Sequence, residues 1–199
     1  LGSDYGWQLV DIEKTGSVPL DTRDDVAPLP PGEPLPRTEL VAEDGSAIVL
    51  GQGQDAPTAL TYIYTRCPDP TFCPAIGARM AALQEHLEHG RIVTVTIDPE
   101  HDTPERLKAW GTAMGADFTK WRLARAEPLK LQDLALYGGQ HVTADGGRIS
   151  HLHRLLILDA QGRLIERYDD DRWPLDRVVA QLEGRPLPPR SEGEDHEQR

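Results

Sequence analysis

Two periods of hydrophobic and polar positions organise the middle of the chain. Residues 38–42 and 47–50 alternate on either side of Glu43-Asp44-Gly45-Ser46, the pattern of two strands joined in a hairpin. Residues 58–64 form an uncharged, β-rich run, which predicts a buried strand. Over residues 74–89 the period becomes helical: Ile76, Met80, Leu83 and Leu87 share a face, Pro74 suits the first helical position and Gly90 the stop. Residues 91–97 predict a strand, and residues 104–114 a second helix capped by Thr103, with Leu107, Trp110 and Met114 as its apolar stripe. A short strand over 120–124 and a third helix over 128–137 follow. Strands at 154–158 and 163–168, joined at Asp159-Ala160-Gln161-Gly162, lead to a last helix at 174–182.

This order, β-β, β-α-β-α, β-α, β-β-α, predicts an α/β protein with a central mixed sheet flanked by helices and an N-terminal hairpin. A right-handed crossover sets the 74–89 helix on one face of the sheet. The outline is thioredoxin-like. Three segments are expected: an irregular, Pro-rich N-terminal segment at 1–33, one folded domain at 34–183, and a charged tail at 184–199.

Charge narrows the function. The 21 Lys and Arg against 33 Asp and Glu leave a net charge of −12. That balance argues against binding nucleic acid or anionic lipid, both of which require a basic surface. No apolar run approaches the ~20 residues of a membrane span. Residues 1–5 show neither a charged n-region nor an apolar h-region, so no leader or anchor is expected within this chain.

With only Cys67 and Cys73, neither a disulfide-built scaffold nor a closed four-ligand zinc site is expected. The pair lies in Tyr64-Thr65-Arg66-Cys67-Pro68-Asp69-Pro70-Thr71-Phe72-Cys73-Pro74, between a central strand and the cap of the next helix. In open α/β sheets this edge is where ligands bind. The helix N-terminus, assisted by Arg66, is expected to lower the thiol pKa of Cys73. Pro68 and Pro70 reduce the entropy of folding the loop back, and a disulfide across it would contribute roughly 2 kcal/mol in the chain-entropy model. Metal binding, disulfide exchange and a structural disulfide all remain open to this pair.

Several stretches together resemble the Sco/SenC family of copper-binding, thioredoxin-like proteins, over residues 34–182. Pro34-Leu35-Pro36 with the Gly45 hairpin resembles its entry segment, and Tyr62-Ile63-Tyr64-Thr65-Arg66-Cys67-Pro68 with Cys73-Pro74 resembles its cysteine loop. Asp98-Pro99-Glu100-His101-Asp102-Thr103-Pro104 resembles its strand-to-helix link, and His151, eight residues before Asp159, resembles its ligand histidine. The resemblance implies one copper, Cu(I) or Cu(II), held by Cys67, Cys73 and His151, a donor set that suits this soft ion. It implies delivery to a copper-receiving protein such as a cytochrome c oxidase subunit. It also implies a periplasmic or otherwise extracytoplasmic location, with any membrane attachment through a segment outside this chain. Some members are instead thiol–disulfide oxidoreductases that keep a partner's cysteines reduced, for which Cys67 and Cys73 would be the redox pair and His151 dispensable. The family's usual cysteine spacing is three residues, and here five intervene.

The leading expectation is therefore a copper metallochaperone, and the alternative an oxidoreductase, although the chain has no CxxC. A third reading is a non-catalytic module with a structural disulfide. A peroxiredoxin is disfavoured because Tyr64 stands where a Thr is expected, three residues before Cys67. His153 is the fallback ligand, since on a strand it shares a face with His151. His101 is expected to be an exposed loop residue, His86 and His89 to lie solvated on the polar side of a helix, His141 in a Gly-rich loop and His196 in the tail. Asp98 either supports the ligands or, the favoured reading, caps the turn before Thr103. Met80, Trp110 and Met114 are expected in the core, and two methionines are too few for a methionine-rich copper site. Asp169-Asp170-Asp171 is expected to be a solvated turn, with docking of a basic partner as its alternative.

Overall fold

The computed structural model describes residues 27–140, 142–145 and 148–189. Its centre is β3 (Thr58–Ile63), in which every residue is buried. A strand buried on both faces needs a neighbour on each side and cover above and below. β4 (Arg91–Thr96) pairs with it in parallel and β8 (Leu155–Leu158) antiparallel. β1 (Thr38–Ala42), β2 (Ala47–Leu50), β5 (Trp121–Arg125) and β9 (Leu164–Tyr168) complete a seven-stranded mixed sheet in the order β2-β1-β5-β4-β3-β8-β9.

Four helices flank the sheet: α1 (Cys73–Gln84), α2 (Pro104–Ala113), α3 (Pro128–Tyr137) and α4 (Leu175–Leu182). Alternate residues of β3 show that α1 and α3 lie on opposite faces. The Tyr62 hydroxyl donates to the Leu134 carbonyl of α3, whereas Thr61 borders a small cavity with Ile76 and Met80 of α1. This is the expected thioredoxin-like outline with its N-terminal hairpin. Met80 is buried, and Trp110 and Met114 pack against the core, with the Trp110 ring edge-on to Trp121.

Three local expectations are corrected. α1 stops at Gln84 rather than His89. The chain leaves the helix in tight turns, His86 N–H to Leu83 O and Leu87 N–H to Gln84 O, which keep Leu87 buried. The N–H groups of Glu88, His89 and Gly90 then donate to the Glu183 carboxylate, so a side chain distant in sequence holds the stretch read as the last turn of the helix. Residues 142–151, for which no element is predicted from the sequence, contain a two-stranded ribbon of β6 (Val142–Asp145) and β7 (Arg148–His151), outside the main sheet. The acidic run is ion-paired rather than merely solvated: Asp169 meets Arg154 and Arg167, and Asp170 holds Arg172 at 2.8 Å.

Residues 27–33 run irregularly across the β9 side, with Leu29 N–H donating to Tyr137 O and Gly32 N–H to Leu164 O. Residues 1–26 of the Pro-rich segment, residues 190–199 of the tail, His141 and His196 lie outside the described residues. Among the described residues no helix is long and apolar enough to cross a membrane.

Two glycine turns interlock beneath this segment. Gly162 has φ +78, and a Cβ there would lie 2.2 Å from the Gly51 carbonyl. The turn is held by the Asp159 carboxylate, which accepts from Gln161 and Arg163 N–H. Gly162→Ala is therefore expected to combine the left-handed penalty of about 1–2 kcal/mol with a backbone clash, and to lower stability by at least about 3 kcal/mol. Gly184→Ala, at φ +62 with nothing within 4 Å, should show the first effect alone. Denaturant midpoints of the two variants check the difference.

Candidate metal centre

β3 carries the chain to Tyr64 at the sheet edge, and the loop to α1 is pinned at both ends. At its start the buried Asp102 carboxylate accepts from the Thr65 N–H at 3.0 Å, from the Thr65 hydroxyl and from the Thr96 hydroxyl. Next to it the Arg66 guanidinium donates to Asp98 at 2.6 Å. The two aspartates of the 98–104 link thus fasten the cysteine loop to the end of β4. Asp98 is not the turn cap expected of it. Its backbone carbonyl closes that turn, accepting from His101 and Asp102 N–H, while its side chain takes Arg66.

Further along, the Asp69 carboxylate accepts from both the N–H and the hydroxyl of Thr71, and Phe72 N–H donates to Asp69 O. This compact turn folds the loop back, so that Cys73 starts α1 beside Cys67. Both cysteines are free thiols. Cys73 is fully buried and Cys67 is partly exposed.

His151 reaches the same place from the far end of β7, in register with Val142. The Tyr64 hydroxyl donates to Ile149 O at 2.9 Å, tying the ribbon to the end of β3. His151 Nδ1 lies 3.0 Å from the Leu152 carbonyl. A carbonyl only accepts, so Nδ1 carries the proton and Nε2 presents its lone pair. Nε2 lies 3.7 Å from the Cys73 sulfur. The edge of the Phe72 and His151 rings meet with centroids 4.6 Å apart. A cavity of about 110 Å³, bordered by Tyr64, Cys67, Phe72 and His151, opens in front of this pair.

The thiols are ordered opposite to the expectation. Burial pushes the Cys73 thiol up, and the neighbouring Cys67 and Asp102 add to the effect, outweighing the Tyr64 N–H. Burial also disfavours the Cys67 thiolate, but the N–H groups of Cys73 and Asp69, the Cys73 thiol and the Tyr64 hydroxyl together hold its pKa below the ordinary value. The first N–H of α1 is thus spent on Cys67 rather than on Cys73, and Arg66 is committed to Asp98. His151 is pushed down to about 4, chiefly by burial and also by His153, against the opposing pull of the Leu152 carbonyl. It is a neutral imidazole at neutral pH.

His153 takes a different place. β7 ends at His151, and His153 follows in an irregular stretch, its ring 3.8 Å from that of Phe72 in a cavity with Arg79, Asp170 and Asp171. The shared strand face expected of the two histidines does not exist. His101 sits apart with Arg106 at 3.1 Å, and His86 and His89 are exposed beyond the end of α1. Asp102, Tyr64 and Phe72, given no role from sequence, surround the site; only Asp102 carried a signal, through the 98–104 link.

Cys67 and His151 therefore border the cavity, and Cys73, in contact with His151, is buried behind that lining. Among the described residues no three His, Cys, Asp or Glu side chains already close around a single point. Two sulfurs and one imidazole nitrogen are donors for a soft cation, and two adjacent thiols can also exchange two electrons as a disulfide.

The SCO1/SenC family pattern matches residues 36–185. BsSco, described as having a disulfide switch and as a member of the Sco family of cytochrome c oxidase assembly proteins, superposes with a TM-score of 0.67 at 20% identity, over 79% of this chain and 96% of that one. A SCO1/SenC family lipoprotein from Bacillus anthracis gives 0.64 at 22% identity, over 78% and 98%. Arabidopsis thaliana ScoI with copper bound gives 0.61 at 17% identity, over 74% and 97%. At these identities the likeness establishes the shared fold.

The buried imidazole makes stability depend on pH. Its folded-state pKa of about 4 lies below the ordinary 6.5, so the unfolded chain takes up the proton first as pH falls. Stability present above pH ~6.5 is lost progressively down to pH ~4, by on the order of 3 kcal/mol from this group. His151→Gln should flatten that slope, as the difference between wild-type and variant denaturation curves across the window.

Proposed function

The chain belongs to the SCO1/SenC family, and on that premise we propose that it is a copper metallochaperone of the Sco type. It binds one copper through Cys67, Cys73 and His151 and passes it to a copper-receiving protein, such as the subunit that houses a copper centre of cytochrome c oxidase. The observation that carries this reading is the contact of His151 Nε2 with the Cys73 sulfur at 3.7 Å, with the nitrogen's lone pair facing the sulfur. Thiolate and imidazole donors select a soft ion such as Cu(I) and also hold Cu(II). Movement of the Cys67 sulfur toward the Cys73–His151 pair completes a three-donor set. The partial exposure of Cys67 gives the ion a route in and out, and the burial of Cys73 and His151 keeps water from the inner donors.

Extracytoplasmic placement accompanies this reading. It is supported by the relative described as a lipoprotein, which implies attachment through a lipid rather than a spanning helix. The excess of acidic residues favours a partner with a basic surface.

One observation favours a second reading, that of a thiol–disulfide oxidoreductase. Cys67 is the accessible thiol with the lowered pKa, and Cys73 is buried behind it. In that reaction the Cys67 thiolate attacks a partner disulfide and forms a mixed disulfide. Cys73 then gives up its proton and attacks the Cys67 sulfur, and the partner leaves as a dithiol, two electrons richer. The high pKa of Cys73 slows the second step.

A copper titration of the reduced protein separates the readings. Wild type is expected to bind one copper per chain. Cys67→Ala, Cys73→Ala and His151→Ala should each weaken binding by more than the roughly 10–100-fold typical of losing an outer-shell partner. Binding releases thiol protons, so affinity should rise with pH, with the Cys73 proton contributing up to about tenfold per unit. Absence of copper binding, together with turnover of a partner disulfide that survives His151→Ala, would establish the oxidoreductase instead.

A further inference from the structure

The β6–β7 ribbon leaves the domain after α3 and returns before β8, so its neck decides where His151 points. Two rungs close that neck. Arg154 Nε donates to Gly139 O at 2.9 Å. Above it the Gln140 side chain grips the Leu152 peptide from both sides: Leu152 N–H donates to Gln140 Oε1 at 2.7 Å, and Gln140 Nε2 donates to Leu152 O at 3.0 Å. The orientation of the amide is unambiguous, because the peptide offers one donor and one acceptor and only one placement of the amide satisfies both. Gln140 is buried, at 3% exposure, so neither bond is exchanged for water without cost.

The gripped carbonyl is the one that His151 Nδ1–H donates to. One oxygen thus takes two donors, Gln140 Nε2 from the neck and Nδ1 from the ring. Its direction determines which ring nitrogen is protonated, and therefore whether Nε2 meets the Cys73 sulfur as a lone pair or as an N–H. Nothing else described near Leu152 holds that peptide; its own side chain is 39% exposed and makes no anchor.

We propose that Gln140 is the positioning residue of the site: through the Leu152 peptide it keeps His151 in the Nδ1–H tautomer, with Nε2 free for copper. The role rests on the copper reading for its purpose, but its physical content is a property of the metal-free protein. Gln140→Leu removes both bonds. Gln140→Met removes both with an unbranched side chain of similar length, whereas a buried Glu would stay protonated and mimic the amide.

The test is the tautomer ratio of His151, read from its ring nitrogen-15 shifts in the reduced, metal-free protein at neutral pH. Wild type is expected almost wholly as Nδ1–H. Gln140→Met and Gln140→Leu should move the ratio about five-fold or more toward Nε2–H. Both should weaken copper binding about tenfold, as loss of an outer-shell partner does. Arg154→Gln, which opens the other rung and leaves the Leu152 peptide gripped, should lower thermal stability without moving the tautomer. An unchanged tautomer in a folded Gln140→Met, or an equal shift in Arg154→Gln, overturns the proposal. Failure of wild type to bind copper defeats the copper reading and leaves the tautomer result standing, so the two are told apart. If Gln140→Leu does not fold, Gln140→Met alone decides.

Discussion

A thiol and an imidazole 78 residues apart meet in the interior of this protein, and the meeting of Cys73 and His151 is the constraint around which the edge of the sheet is arranged. Neither group is comfortable there. Burial raises the pKa of the thiol and lowers that of the imidazole, so both are neutral where an exposed pair would be partly charged. Two neutral, desolvated donors lose little on meeting, and each retains what a soft cation requires once the thiol proton is displaced.

Holding them together takes anchors from both sides of the sheet. Asp98 and Asp102, in the link that follows β4, secure Arg66 and Thr65 and so the start of the cysteine loop. Tyr64 and Gln140 secure the ribbon that brings His151 back. The buried carboxylate of Asp102 is satisfied by three donors from two segments, the condition under which a charge in the interior is tolerated. Copper capture and disulfide exchange draw on the same geometry. They differ in whether the exposed Cys67 closes onto a metal or onto another sulfur.

The loop between the cysteines departs from the family's usual spacing, and its extra length is folded away rather than left slack. Asp69 turns on Thr71, Phe72 meets the His151 ring, and Cys73 is carried under cover. The loop therefore covers the inner sulfur and leaves the outer one partly exposed.

Much of the fold was legible because its signals are local. The uninterrupted run of β3, the Thr103-Pro104 start of α2 and the Pro-bounded cysteine loop each follow from neighbours in sequence. The motifs at residues 64–74, 98–104 and 151–159 likewise pointed to the chemistry before any geometry did. The non-helical course of residues 85–90 did not show, because its N–H groups at 88–90 are satisfied by Glu183, which is 95 residues from Glu88. The ribbon did not show, because its strands carry few apolar residues and pack outside the main sheet. The reversed order of the thiols did not show either: a helix N-terminus favours a thiolate only where water or N–H groups reach it, and α1 gives its first N–H to Cys67 while Cys73 goes into the core. Residue types and their spacing thus determined the candidate donor atoms. Burial and long-range hydrogen bonds, which exist only once distant segments are packed, decided which sulfur is exposed, which nitrogen is free and where the imidazole points.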